Sequence, residues 1–186
     1  VLHFITHPEV VIDPAVPVPR WPLTDRGIAR MRALAALPEL AGLRAVWAST
    51  ECKAIEGAGI LAAAFGLPVR VLEELGENDR SGTGYLPEAE FQAVADQFFA
   101  APEQSVRGWE RAVDAQARIV SAIAAVMAES PEGPVAVVAH GGVGALLRAH
   151  LAGAAIARSF DQPGAGCRFI VQPGQPPGPW VPLPRV

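Results

Sequence analysis

Only two cysteines occur in the 186 residues, Cys52 and Cys167, far apart and in unlike surroundings. They supply neither a disulfide framework nor a thiolate metal site, and are read as two free thiols. Lysine and arginine are outnumbered by acidic residues, 15 to 19, and no cluster of them makes a basic surface. Nucleic acid is therefore not an expected partner. No apolar run has the length to span a bilayer, and the first residues lack the basic, apolar, small-residue order of a signal peptide. A cytoplasmic protein without membrane attachment is expected. Also missing is a Gly-x-Ser-x-Gly elbow, which disfavours a serine hydrolase. The histidines lack ligand spacing, so no metal is implied, and no cofactor either. With no repeat and no long linker, residues 1–186 are most simply one domain, long enough to bury a substantial core.

What is present is an alternation of short apolar runs with longer segments of helical period, the signature of layered α/β architecture. Strands are expected near Val1–Ile5, Arg44–Ala48, Val69–Leu72, Val135–Ala139 and Arg168–Val171. Thr24 can cap a helix that runs through Arg26, Ile28, Met31, Leu34 and Leu37 and ends at Pro38. A second, alanine-rich helix over Glu51–Phe65 stops at Gly66-Leu67-Pro68. From Leu86 to Met127 the pattern is mostly helical, with a break near Ala101-Pro102, and residues 74–110 read as a loop and helical cap insertion. Its aromatic residues Tyr85, Phe91, Phe98, Phe99 and Trp109 read equally as core or pocket lining. Residues 174–186 are proline-rich, expected to be irregular or extended, and given no role.

Two histidines stand out. His7, in Phe4-Ile5-Thr6-His7-Pro8, and His140, in Val137-Val138-Ala139-His140-Gly141-Gly142, each close an apolar run and precede turn-forming residues. On parallel strands both imidazoles would sit at the carboxyl edge of one sheet, where open α/β folds place their chemistry. Gly141 and Gly142 open the helix after His140, where backbone N–H groups and the helix dipole favour an anion. His3 and His150 are read as ordinary packing or turn residues.

Further segments extend the pattern. Pro22-Leu23-Thr24-Asp25-Arg26-Gly27 resembles a Pro-Leu-Thr-x-x-Gly helix start, and Ala48-Ser49-Thr50-Glu51-Cys52-Lys53-Ala54 resembles a Ser-Pro-x-x-Arg-Ala segment. Leu75-Gly76-Glu77 is similar to Leu-x-Glu, and Val138-Ala139-His140-Gly141-Gly142-Val143 to a second-histidine motif. In this order the chain resembles the histidine phosphatase superfamily, the phosphoglycerate mutase-like proteins, over most of its length. The resemblance implies a three-layer α/β/α fold with a mainly parallel central sheet and a small helical cap. It implies a phosphatase that hydrolyses a phosphomonoester through a phosphohistidine, with a small phosphorylated molecule or phosphate-like anion as partner. A second copy of the chain as partner is left open.

Carried over residue by residue, the resemblance makes His7 the nucleophile, His140 its electrostatic partner and Glu77 the acid for the leaving group. Neutral imidazole is a competent nucleophile near pH 7, and phosphoryl transfer requires its spreading negative charge to be neutralised. Lys53 and Gly141 fall at phosphate-binding positions. The first motif departs from Arg-His-Gly to Thr6-His7-Pro8, and the second arginine is replaced by Lys53, a point charge without the planar fork. An uncompensated arginine is worth roughly ten- to a few hundredfold in affinity or rate. Arg20, in the loop returning from His7, and Arg80, after the acid, are candidates to compensate. A catalytically degenerate member that acts as an anion-binding or regulatory module is the alternative reading. Hydrolysis is favoured over mutase activity, which calls for more cationic groups. The substrate is not legible.

Overall fold

Apolar runs of three to five residues form the strands of one six-stranded sheet in the computed structural model, which describes residues 1–186. They are Leu2–Thr6 (β1), Ala45–Ala48 (β2), Val69–Val71 (β3), Val135–Ala139 (β4) and Cys167–Val171 (β5), joined by the two-residue Val181–Pro182 (β6). Their order across the sheet is β3-β2-β4-β1-β5-β6, with β3, β2, β4 and β1 parallel, β5 antiparallel to β1, and β6 antiparallel to β5. The helices are Asp25–Ala35 (α1), Cys52–Phe65 (α2), Glu88–Ala100 (α3), Ala112–Glu129 (α4) and Gly141–Leu151 (α5).

Strands β1, β2 and β4 are buried along their whole length, because helices cover both faces of the sheet. Alternation along each strand divides their side chains between two cores. Phe4, Trp47, Val135 and Val137 pack with Ile119 and Val126 of α4 and Val143 and Leu147 of α5. Ile5, Val46, Ala136 and Val138 face the other way, against Met31 and Leu34 of α1 and Ala58 and Leu61 of α2. The result is the expected α/β/α sandwich. A third cluster joins Val94, Phe98 and Phe99 of α3 and Trp109 to Ala112 and Ala115 of α4 and Ala145 and Leu146 of α5. Phe98, Phe99 and Trp109 are thus core, whereas Tyr85 is exposed and lies 5.5 Å from the Trp21 ring.

Local signals set the helix ends. Thr24 Oγ1 accepts the N–H of Gly27 at 3.0 Å and so caps α1. Gly27 carries no side chain because a Cβ there would lie 2.5 Å from the carbonyl oxygen of Glu9. α1 ends two residues before Leu37, which is extended (ψ 133°), as the residue preceding a proline prefers. Gly66 ends α2 in the left-handed conformation.

The proline-rich end has a role that its composition conceals. Val181–Pro182 pairs with β5, Leu183 is buried in the α1–α2 core, and Trp180 packs edge-on against Phe169 at 4.8 Å. Buried Arg30 of α1 holds this strap in place by donating to the carbonyls of Ala165, Gly166, Leu183 and Pro184, and it pairs with Glu9 at 2.9 Å. No helix is long and apolar enough to cross a membrane.

Candidate active site

The parallel register Thr6↔Ala139 brings the next residue of each strand, His7 and His140, off the sheet side by side. The His7 N–H still reaches the Ala139 carbonyl at 3.2 Å, and the two imidazole centroids are 5.3 Å apart, edge to face. Strand β2 lies on the far side of β4, so its outgoing residues Ser49, Thr50 and Glu51 and the start of α2 reach the same edge. The edge therefore collects residues more than a hundred positions apart.

His7 is held in one tautomer. Its Nδ1 lies 2.9 Å from the Pro8 carbonyl oxygen, which can only accept, so Nδ1 carries the proton and Nε2 keeps its lone pair. Burial first, then the fields of His140 and Lys53, lower its pKa from 6.5 to about 3. Burial also lowers His140, against the opposite pull of Glu51 and Glu77. His140 Nε2 is 2.7 Å from Ser49 Oγ and 3.3 Å from Glu51 Oε1, and its Nδ1 is buried without a partner.

Glu77 arrives from the loop after β3. Leu75 anchors that loop in the core, and Arg118 of α4 donates to the carbonyls of Glu74, Gly76 and Glu77 while pairing with Glu110 at 2.8 Å. The Glu77 carboxylate accepts the N–H groups of Gly142 and Val143, each at 3.0 Å, and pairs with Arg80 at 3.1 Å. Burial would raise its pKa, but Arg80, His140 and the backbone donors outweigh that and hold it at about 2. The N-terminus of α5, expected to await an anion, thus already holds one. Gly141, the first residue of α5, faces Gln162 instead: a Cβ there would lie 2.5 Å from the Gln162 amide nitrogen.

Lys53, the single lysine of the chain, is buried. Its ammonium donates to the Val18 carbonyl at 2.8 Å and meets Glu51 Oε2 at 2.5 Å. Arg20 closes the same three-residue turn but is exposed, over an open groove with Thr50, Cys52, Ile55 and Glu56. Its guanidinium makes no hydrogen bond or ion pair with the other residues of the site, because the turn presents its Val18 carbonyl, not Arg20, to Lys53. Arg80 is the guanidinium that does reach the site, through Glu77, and it is braced by the Phe91 and Trp109 rings at 4.8 and 5.0 Å. Thr6, standing where the motif has arginine, is fully buried. Its hydroxyl donates to Gln162 Oε1 at 2.6 Å and accepts the Cys167 N–H at 2.9 Å, so it serves the β1–β5 junction.

Two residues that motif reasoning passed over thus belong to this edge, Glu51 and Gln162. Side chains two apart on a helix do not meet, so the spacing of Glu51 and Lys53 gives no warning. They meet because Glu51 is the extended residue before α2 (φ −76°, ψ 139°). Gln162 lies 156 positions from Thr6, and no local signal joins them.

A family model for the histidine phosphatase superfamily, branch 1, matches residues 18–172. The chain belongs to that superfamily. No curated protein matches it in sequence. Among solved structures, the mycobacterial glucosyl-3-phosphoglycerate phosphatase Rv2419c is similar at TM-score 0.76 and 22% identity, covering 99% of this chain and 96% of that one. YhfR of Bacillus stearothermophilus is similar at TM-score 0.74 and 22% identity, covering 97% and 95%. The α-ribazole phosphatase of Shigella flexneri is similar at TM-score 0.66 and 19% identity, covering 98% and 95%. These likenesses establish the histidine phosphatase fold from end to end. The two histidines therefore stand in a histidine phosphatase scaffold whose nearest cations, Lys53 and Arg80, are each matched by a carboxylate.

Proposed function

We propose that this histidine phosphatase hydrolyses a phosphomonoester through a phosphohistidine formed on His7. The observation that carries the reading is the His7 imidazole, fixed by Pro8 as the Nδ1–H tautomer with its Nε2 lone pair free, 5.3 Å from the His140 ring. In the first step Nε2 attacks phosphorus in line, the P–N bond forms, and the ester P–O bond breaks. The leaving alkoxide takes a proton from Glu77. That proton must be gained first, and an arriving phosphoryl dianion supplies the reason, since a like charge nearby raises a carboxyl pKa. The same dianion favours protonation of His140, which then neutralises charge on the transferring group. In the second step water attacks phosphorus, a new P–O bond forms as the P–N bond breaks, and the Glu77 carboxylate takes the proton that the water releases.

The test is turnover of a generic aryl phosphate by the wild type and by His7→Ala, with intact-mass detection of a phosphorylated protein. Turnover and the phosphorylated species should both vanish in the variant. Equal rates for the two proteins would refute the assignment. Glu51 favours a second reading, because it already pairs with Lys53 and lies 3.3 Å from His140, two groups assigned to phosphate. On that reading the chain keeps the fold as an anion-binding or regulatory module without turnover, and wild type and variant would be equally inactive.

A further inference from the structure

Glu51 has no part in the motif resemblance or in the proposed chemistry, yet it meets the site from several sides. Its side chain is 11% exposed. Oε2 lies 2.5 Å from the Lys53 ammonium, and Oε1 lies 3.3 Å from His140 Nε2 and accepts the Glu77 N–H at 3.2 Å. Its own N–H donates to Ser49 Oγ, which in turn contacts His140. The groups facing it thus come from every element of the edge: Ser49 after β2, Lys53 on α2, Glu77 after β3, and His140 before α5, with His7 beyond His140. Two of them, Lys53 and His140, are the donors that a phosphoryl group would need. A phosphomonoester is close to dianionic at neutral pH. On arrival it competes with a fixed internal carboxylate for the same donors, and is repelled by it.

We propose that Glu51 sets the anion affinity of this site by occupying the phosphate donors in the resting protein, so that a phosphoryl group seats only when Glu51 is displaced or protonated. The ligand chemistry of this proposal rests on the phosphatase reading of the same pocket. Glu51 is a residue that tunes specificity: it disfavours simple dianions and leaves the site to substrates whose remaining contacts overcome the competition.

The experiment is isothermal titration with sulfate, a tetrahedral dianion that does not itself titrate between pH 5 and 8. Glu51→Gln should bind sulfate about tenfold or more tightly than wild type at pH 7, the scale on which one nearby charge acts. Glu51→Asp keeps the charge and should show no such gain. Lys53 is an independent reporter: with 13C at the lysine ε-carbon its lone side-chain signal should shift on sulfate addition in Glu51→Gln, at concentrations that leave wild type unchanged. Equal affinity in wild type and Glu51→Gln overturns the proposal, as does an equal gain in Glu51→Asp, which would make the effect steric. If Glu51→Gln does not fold, Glu51→Ala carries the same comparison. The phosphatase reading fails separately, on turnover that does not depend on His7, whatever the sulfate affinities are.

Discussion

Gly142 donates its backbone N–H to Glu77 at 3.0 Å, so the helix that follows the second histidine starts on a carboxylate supplied by the chain itself. Helix N-termini attract anions through their unpaired N–H groups and dipole. Here that attraction positions the residue assigned to proton transfer.

Replacing Glu77 by Gln should therefore act on both stability and rate. The amide would keep an acceptor but turn a donor toward donors or toward Arg80. Because the folded pKa is depressed to about 2, from 4.5, the ionised form contributes stability on the order of 3 kcal/mol above the unfolded value. That stability is fully present above about pH 4.5 and is lost as pH falls toward 2. Urea denaturation across this window should show a steep loss for wild type and a flatter one for Glu77→Gln. With an aryl phosphate, kcat should fall by about 10²–10⁴, the scale of one acid–base group.

His7 should resist protonation. Its folded pKa of about 3 lies below the unfolded 6.5, so the unfolded chain binds the extra proton between these values and stability falls as pH is lowered through them. A 15N-histidine NMR titration from pH 8 to 5, assigned with His7→Gln, should show a static His7 resonance. A midpoint near 6.5 would contradict the burial and the fields on which the readiness of the proposed nucleophile depends.

Alanine at position 142 should damage the site without touching either histidine. Its Cβ would lie 2.7 Å from Glu77 Oε1 and 3.1 Å from Asn78 Oδ1. Crowding of this kind costs about 1–3 kcal/mol, and displacement of Glu77 should lower turnover as well. Gly59→Ala in α2 is the control: nothing lies within 4 Å of its Cβ, so helix propensity should make it neutral or more stable by up to about 1 kcal/mol. Thermal and urea unfolding of the two variants test the contrast.

Arg30→Ala should release the C-terminal strap. The substitution leaves Glu9 without its buried partner and the carbonyls of Ala165, Leu183 and Pro184 without their donor, while Gly166 keeps the Leu183 N–H, a loss of about 3–5 kcal/mol. Hydrogen exchange should then rise first at Val181–Leu183. Protection that is unchanged there would show that Trp180 packing alone suffices to hold the strap.

The sequence by itself determined the layered fold, most helix ends and the edge where the histidines meet. Apolar runs, Thr24, Gly66 and the turns after His7 and His140 are local signals, and local backbone preference is enough to read them. The helix of the first crossover was legible to within two residues of its end, which falls at Ala35 because the proline after Leu37 disfavours the helical conformation there. Only the tertiary structure decided the electrostatics. It turned Thr6 toward Gln162, left Arg20 outside, brought Arg80 in on the rings of Phe91 and Trp109, and closed Glu51 onto Lys53 and His140. It also gave the proline-rich end a strand and a core residue, because a short edge strand needs only a neighbour to pair with and an arginine to donate to its carbonyls. Such pairings join segments far apart in the chain, and their strength depends on distance and burial. Motif spacing therefore located the two histidines, while packing fixed the charges that surround them.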